Sequence, residues 1–418
     1  MIFILCSSFV TLLLFVLNWL GLPINLGLLV AVITGLFALY FFVKRFIPYD
    51  SKPQGENWKK LDYCILGLII ILLGVVIING LWNVVSVWDA LTLYDFRALR
   101  IVETGSISQT ATIQGDYFYS YPLFTSLAHV SLYLLGLKSP MIFYSLLFAS
   151  FISVFYGLLR RSTSRTLSLF ATLLLVIAPH LFWHAQIAYT NLPYTIYLGL
   201  GAIYIIEYYR TGKRTDALLG ALLTGLSIWV RSVEPFWMVN ILVLLGVTLY
   251  KRRYLDSILS LFIFIPLERV WKTYIAVARG MVAENPIGQV TNAVSSIVSS
   301  NPSSISTVPL IEIIIYFLSY AVRPLSPVLI LFFVGIAYKL STRKKEWVGE
   351  IMLIGYYTIA FYGTYVFSYS QPYWRDIPGS LERMMMFISP IIIFIFAQVF
   401  TQLMSTNLPH IKYNKNIL

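Results

Sequence analysis

Residues 61–82 read LDYCILGLIIILLGVVIINGLW, an apolar run in which Asp62 is the only charged side chain. An α-helix rises 1.5 Å per residue, so about 20 apolar residues cross the hydrocarbon core of a bilayer. Lys59 and Lys60 precede the run, and Trp88 and Asp89 follow it. The stretch therefore predicts a membrane-spanning helix whose basic end lies in the cytoplasm.

Similar apolar stretches recur along the whole chain. Of its 418 residues, 58% are hydrophobic and 11% are charged, with a mean hydropathy of +0.78, whereas about a quarter of the residues of a soluble domain are charged. The sequence predicts an all-α polytopic membrane protein with about 12 transmembrane helices. The predicted spans are residues 2–20, 24–43, 61–82, 140–159, 166–184, 193–209, 215–230, 235–250, 255–270, 325–340, 348–368 and 385–404.

Basic residues are concentrated in alternate loops. Two thirds of the 30 lysines and arginines fall in six segments on one predicted side of the membrane. By the positive-inside rule this side is cytoplasmic, which places both termini inside a multi-pass protein of the cytoplasmic membrane. The net charge of +12 belongs to that side, so it does not indicate nucleic-acid binding. The six segments are residues 44–60, 160–165, 210–214, 251–253, 339–345 and the tail after 410.

Three stretches are predicted to be juxtamembrane helices on the outer face, at about 90–104, 117–136 and 309–322. Counting 117–136 as a span would place the basic segment 160–165 outside, and counting 309–322 would do the same to 339–345. The alternative is that one of these stretches crosses and a neighbour does not.

The spans group into three regions. Residues 1–60 form two additional transmembrane helices and a basic loop, 61–270 a transmembrane core with the first outer loop at 83–139, and 271–418 an outer loop at 271–324 with the C-terminal helices. No basic segment and no small-residue cleavage site flank the first span, so we expect it to be retained. Cys6 and Cys64 lie in apolar runs and indicate neither a disulfide nor a thiolate metal site.

The outer segment after the third predicted span carries several charged side chains. A helix from about residue 90 places Arg97 and Arg100 on one face. Asp89 stands at the start of this helix, where it is either an N-cap or a carboxylate that faces a cavity. Arg231 and Arg383 stand at the outer ends of later spans, where a guanidinium binds phosphate, pairs with a nearby carboxylate or reaches the interface as a snorkelling side chain.

Other polar side chains in the predicted outer loops are candidates for lining a cavity. His180 and His184 are four residues apart, a spacing that is weak evidence for a metal site. The sequence does not indicate a particular cofactor, and binding of a divalent cation remains an alternative. The candidate cavity-lining residues are Asp95, Asp116, Tyr119, Tyr121, His184, Tyr189, Asn191 and Glu234.

These motifs resemble the GT-C superfamily of polytopic glycosyltransferases, which includes the protein O-mannosyltransferases and the lipid A aminoarabinose transferases. An acidic residue in the first outer loop, some way before a glycine, matches Asp89 and Gly105. An aromatic-proline segment that leads an outer helix matches residues 119–123, and the segment 380–383 resembles the closing motif. The resemblance covers most of residues 61–250 and the last span, and it depends on order and spacing more than on identity.

The resemblance implies a membrane enzyme that moves a sugar from a polyprenyl-phosphate carrier to an acceptor hydroxyl on the extracytoplasmic side. It implies Asp89 as the general base, Arg231 and Arg383 as ligands of the carrier phosphate, and help from Arg97 or Arg100. Asn191 stands before Pro193 where the family commonly has an aspartate, which weakens any metal role. A single outer carboxylate indicates an inverting displacement, although Asp95 or Asp116 leaves double displacement open.

Two rival functions remain open from the sequence. A lipid-linked glycan ligase or polymerase would use outer arginines on a carrier together with an essential histidine, for which His129 and His184 are the outer candidates. A lipid or glycan transporter (flippase) would show related halves with broken helices near the bilayer midplane, which this sequence does not display. The sugar, the acceptor and the length of the carrier are not specified by the sequence.

Overall fold

A computed structural model of the chain describes residues 1–44, 56–108, 121–232, 235–279, 308–322, 347–370 and 378–407. Within these ranges the protein is helical and contains no strand, as the sequence predicts. The helices are α1 Ile2–Trp19, α2 Leu26–Lys44, α3 Lys60–Trp82, α4 Phe96–Thr104, α5 Phe124–Leu134, α6 Met141–Leu159, α7 Arg165–Val176, α8 Pro179–His184, α9 Asn191–Thr211, α10 Arg214–Val230, α11 Phe236–Tyr250, α12 Tyr254–Arg279, α13 Leu310–Val322, α14 Val348–Ser370 and α15 Pro378–Asn407, and a π-helical turn covers Ala90–Asp95.

Five of the described helices, α1, α3, α6, α14 and α15, are long and apolar enough to cross a membrane. Most of the other predicted spans are also helical, but they are shorter or less apolar. The span predicted at 325–340 lies outside the described residues. The structure thus supports a helical membrane protein and leaves the count of about 12 spans as a prediction.

The span predicted at 166–184 is wrong as a single helix. The structure has α7 at Arg165–Val176 and a separate α8 at Pro179–His184. Ala178 has φ −58° and ψ 116°, because the proline ring disfavours helical geometry at the residue before it. The break makes His184 the last residue of a separate short helix, directly before the loop that leads to α9.

The helix α9 lies at the centre of the bundle. Its residues from Asn191 to Tyr208 are all buried, and it packs against α6, α10, α11 and α15. A Cβ atom at Gly201 would lie 2.6 Å from Thr224 Oγ1, and one at Gly220 would lie 2.8 Å from Ile205 Cγ1. These two glycines therefore allow α9 and α10 to approach closely, as small residues do in membrane helix pairs.

The first helix belongs to the same core. The Trp229 indole donates to Thr11 Oγ1 at 3.1 Å, and the Phe15 and Trp229 ring centroids are 5.0 Å apart. At the end of α1, Asn18 donates to the Gly105 carbonyl at 2.9 Å and accepts from the Ile107 amide at 2.9 Å. The two N-terminal helices, to which the sequence assigns no role, therefore support the end of α4.

The three predicted outer helices correspond to short elements. The first is the π turn followed by α4, which ends at Gly105 with φ +68°. The second, α5, has 11 residues, or about 16 Å of helix, and the third, α13, has 13 residues, or about 20 Å. Both are shorter than the roughly 30 Å hydrocarbon core. Residues 109–120 lie outside the described ranges.

Candidate functional site

Asp89 lies at the start of the π turn, half-buried between α3 and α4. Its side chain does not cap the helix, so the N-cap interpretation of this residue is not supported. The carboxylate instead lies close enough to the hydroxyl of Tyr189, in the loop between α8 and α9, to raise its pKa. Asp89 therefore contacts a segment about 100 residues away in sequence.

Tyr189 connects the carboxylate to a guanidinium. Burial, followed by the negative charge of Asp89, raises the pKa of the Tyr189 hydroxyl to about 12, and the nearby Arg383 partly offsets this rise. The phenol is therefore protonated at neutral pH and presents a hydrogen-bond donor near Asp89. Asp89 and Arg383 both lie within electrostatic range of this one hydroxyl.

Arg231 follows the last turn of α10. Its Nη1 donates to Asn191 Oδ1 at 2.9 Å and to Thr190 Oγ1 at 3.3 Å, and its guanidinium lies 5.3 Å from the centre of the Tyr121 ring. An aspartate at position 191 would form an ion pair here, whereas the amide of Asn191 accepts the hydrogen bond without adding a negative charge. The asparagine thus has a definite effect on the electrostatics of the site.

Arg383 lies in the second turn of α15 and is half-buried. Its charge acts on Tyr189 and on His184, and the charge of Arg231 acts on His184 as well. The two guanidiniums, which come from positions about 150 residues apart in sequence, therefore both lie within electrostatic range of the same histidine. We refer to Asp89, His184, Tyr189, Arg231 and Arg383 as the Asp89 cluster.

His184 is the most deeply buried member of the cluster. It is the last residue of α8 and only 1% exposed, with its ring centroid 6.0 Å from that of Tyr189. Burial, followed by the positive charges of Arg383, His180 and Arg231, lowers its pKa to about 3. His184 is therefore a neutral imidazole at neutral pH, with one donor and one acceptor nitrogen.

The other candidate residues from the sequence do not belong to this cluster. Arg97 is buried and donates to the Tyr121 carbonyl at 3.1 Å. It therefore supports Tyr121, whose ring lies against the Arg231 guanidinium. Arg100 forms a surface ion pair with Glu103 at 2.9 Å instead of joining the cluster. The candidates Asp116, Tyr119 and Glu234 lie outside the described residues.

Asp95 belongs to a separate buried network behind the π turn. Its Oδ1 is bonded to His129 Nδ1 at 3.0 Å and accepts from the Tyr133 hydroxyl at 2.5 Å. His129 Nε2 lies 2.8 Å from the Tyr144 hydroxyl. Every polar group named here has a partner inside the protein, so the network anchors the turn rather than lining a cavity.

Sequence reasoning missed Tyr94 and Thr190. The Tyr94 hydroxyl is bonded to Thr190 Oγ1 at 3.1 Å, and Thr190 in turn accepts from Arg231. A regular helix would direct residues 89 and 94 to different faces, whereas a π turn has i to i+5 periodicity and brings both toward Tyr189. No feature of the sequence predicted that turn.

The described part of the chain contains no group of three or more histidine, cysteine, aspartate or glutamate side chains placed to hold a metal ion. Comparison of the chain with models of known protein families, with curated proteins and with solved structures found no match.

Proposed function

We propose that this protein is a membrane glycosyltransferase of the GT-C type, which moves a sugar from a polyprenyl-phosphate carrier to an acceptor hydroxyl. The observation that carries the proposal is the Asp89 cluster: the His184 and Tyr189 rings lie 6.0 Å apart, Arg231 is bonded to Thr190 and Asn191 beside them, and Asp89 and Arg383 lie within electrostatic range of Tyr189. A carboxylate and two guanidiniums in one place supply a base and an anion-binding pair, which are the groups that this reaction needs.

The chemistry uses each charged member of the cluster. Asp89 accepts the proton of the acceptor hydroxyl while the hydroxyl oxygen attacks the anomeric carbon of the donor. The bond between that carbon and the phosphate oxygen breaks, and the phosphate leaves with the bonding electron pair. Arg231 and Arg383 stabilise the negative charge that develops on the leaving phosphate. With one carboxylate in the cluster, a single displacement inverts the anomeric configuration.

The position of the cluster along α9 supports an extracytoplasmic active site. Asn191 at the first turn of α9 contacts the cluster through Arg231. Near the other end, buried Asp216 pairs with Arg161 at 3.0 Å and Asp256 pairs with Arg214 at 2.5 Å, within the basic segments. The 21 residues of α9 extend over about 31 Å, close to the thickness of the hydrocarbon core. The cluster and the basic segments thus lie at opposite membrane surfaces in the proposed topology of about 12 spans.

The donor is a lipid, so the cluster must be open to the membrane as well as to the acceptor. Trp88, next to Asp89, and Trp183, next to His184, are 76% and 55% exposed. Tryptophan side chains are frequent at the interface between headgroups and water. They support a site at the depth where the phosphate of a membrane-embedded carrier is found.

Purified protein in detergent tests the proposal when it is incubated with a panel of polyprenyl-phosphate sugars and carrier release is followed. We expect release from at least one donor, and a loss of at least a hundredfold in Asp89→Asn, because the amide cannot accept the proton. The matched control is Glu103→Gln, which removes an exposed carboxylate that pairs with Arg100. Carrier release by Asp89→Asn at the parental rate would contradict the assignment of the base.

The arginines are tested in the same assay by varying the donor concentration. We expect Arg231→Gln and Arg383→Gln to raise the KM for the donor at least tenfold, because each loses a charge-assisted hydrogen bond to the phosphate. Arg269→Gln is the control, since the Arg269 side chain is 70% exposed and pairs with Glu268. An unchanged donor KM in both variants would refute the phosphate-binding pair.

A further inference from the structure

His184 combines deep burial with an incomplete set of hydrogen bonds. Among the described residues, neither Nδ1 nor Nε2 has a hydrogen-bond partner, although the residue is only 1% exposed. Most buried polar side chains in proteins are bonded, because an unsatisfied donor or acceptor loses the water that it had in the unfolded chain. The comparison with His129 is direct, since both nitrogens of that buried ring are bonded to the protein.

The surroundings of His184 indicate the chemistry of its missing partner. Arg383 on α15 and Arg231 after α10 both act on its ring, as does His180 one turn earlier on α8. Tyr189, with its ring centroid 6.0 Å away, is not hydrogen-bonded to either nitrogen of His184. A neutral imidazole within electrostatic range of two guanidiniums retains an N–H donor. A group that accepts from all three side chains is an anion with several oxygens.

We propose that His184 is a third phosphate-binding residue, whose ring N–H donates a hydrogen bond to the carrier phosphate held by Arg231 and Arg383. This inference rests on the function proposed above and adds a residue and a binding geometry to it. The phosphate of the released carrier is a monoester with three free oxygens in a tetrahedral arrangement, one for each donor. In the sugar donor it is a diester whose two free oxygens the three donors share, and a carboxylate offers two oxygens in a plane. The neutral ring adds a directed bond without a third positive charge in a buried place.

The proposal makes a specific distinction between the steps of the reaction. His184 contacts the phosphate both before and after the sugar leaves, so it contributes to binding of the donor and of the released carrier. It does not contact the acceptor hydroxyl, which Asp89 deprotonates. Loss of the His184 N–H therefore weakens binding of the carrier. The pH dependence of proton transfer to Asp89 stays the same as in the parent.

The test measures binding of farnesyl phosphate, farnesol and inorganic phosphate to the full-length protein in detergent, without any sugar transfer. We expect His184→Phe, which keeps an aromatic ring and loses both nitrogens, to weaken farnesyl phosphate binding at least tenfold. His184→Gln, which keeps an N–H donor, should bind within a few-fold of the parent. The control is His180→Gln, which changes the other histidine of α8, and farnesol binding should be the same in all variants.

The outcomes separate the inference from the function on which it rests. Parental binding of farnesyl phosphate by His184→Phe would overturn the role of His184 and leave the arginine pair in place. Absence of farnesyl phosphate binding by the parent would overturn the carrier site altogether. If inorganic phosphate bound as tightly as farnesyl phosphate, the ligand would be a free anion and the lipid part of the proposal would be wrong. Equal weakening in the Phe and Gln variants, with farnesol binding also reduced, would assign His184 a purely structural role.

Discussion

Tyr189 connects the negative and the positive side chains of the Asp89 cluster. Its protonated hydroxyl lies within electrostatic range of both Asp89 and Arg383. A donor at this place fixes the direction of the carboxylate and favours its ionised form. At the scale of single residues, the position of the base therefore depends on a side chain that comes from a different loop.

We expect Tyr189→Phe to lower kcat by about tenfold or more, because the ionised carboxylate loses a nearby hydroxyl donor, and to leave the KM for the sugar donor within about twofold of the parent. Initial rates of carrier release over a range of donor concentrations measure both quantities. Tyr63→Phe is the control, since Tyr63 is 60% exposed on α3. A higher donor KM with unchanged kcat would place Tyr189 in donor binding instead.

His184 makes the stability of the protein depend on pH. Its pKa in the folded protein is about 3, lowered by burial and then by Arg383, His180 and Arg231, whereas an unfolded histidine titrates near 6.5. Between these values the unfolded chain binds a proton that the folded chain does not. The contribution of His184 is therefore complete above pH 6.5 and decreases as the pH falls toward 3.

Thermal unfolding in detergent at two pH values measures this contribution. We expect the parent to lose roughly 1.5 kcal/mol more free energy of unfolding than His184→Gln when the pH falls from about 6.5 to about 5. The difference between the two proteins removes the effects of other titrating groups, including His129. An equal loss in both proteins would contradict the burial of a neutral imidazole at position 184.

At the scale of elements, the π turn depends on the buried network behind it. Asp95, the last residue of the turn, is 8% exposed and bonded to His129 and Tyr133. Burial lowers the pKa of His129 despite the opposing effect of Asp95. The ring is therefore neutral, and it donates from Nδ1 to Asp95 while Nε2 accepts from Tyr144.

We expect His129→Leu to lower the free energy of unfolding by roughly 2–4 kcal/mol, because Asp95 and Tyr144 lose their shared partner in a buried site. Unfolding curves in detergent test this, with Ser153→Ala on the exposed part of α6 as the control. We also expect the remaining folded protein to release carrier more slowly, since the turn that carries Asp89 is less well held. A change below 0.5 kcal/mol would show that the network is dispensable.

The helical elements followed from local patterns, and the outer location of the charged candidates is a prediction from the same patterns. Apolar length predicted α1, α3 and α6, and the basic segments separated the two ends of the bundle. The break before Pro179 was visible in the sequence, but apolar residues on both sides outweighed it in the prediction of one span. Local sequence patterns predict helices well because they reflect the periodicity of the helix and the polarity of its surroundings.

The internal arrangement of the cluster could not be read from the sequence. The face shared by Arg97 and Arg100 was a correct consequence of helical spacing, yet Arg100 pairs with Glu103 and Arg97 with the Tyr121 carbonyl. Tertiary contacts determine which hydrogen-bond or ion-pair partner each arginine has. The same holds for Thr190 and Tyr94, which meet across 96 positions of the chain.

At the scale of the whole molecule, α9 sets the distance between the Asp89 cluster and the basic segments. We expect a cysteine at Lys138 to react with a membrane-impermeant maleimide in intact cells, and one at Thr215 to react only after the membrane is opened. Both positions are exposed, and the experiment replaces Cys6 and Cys64 beforehand. Labelling of the Thr215→Cys variant in intact cells would reverse the proposed orientation.

The burial of α1 in the core has a consequence for biosynthesis. Tyr197 and Trp229, which bond to Ile4 and Thr11 of α1, are made 193 and 218 residues later. At about 5–20 residues per second, the ribosome needs roughly 10–40 seconds to deliver them. During that interval the first helix resides in the bilayer with Thr11 lacking its eventual indole partner, so the nascent protein completes its centre only after more than half of the chain has been inserted.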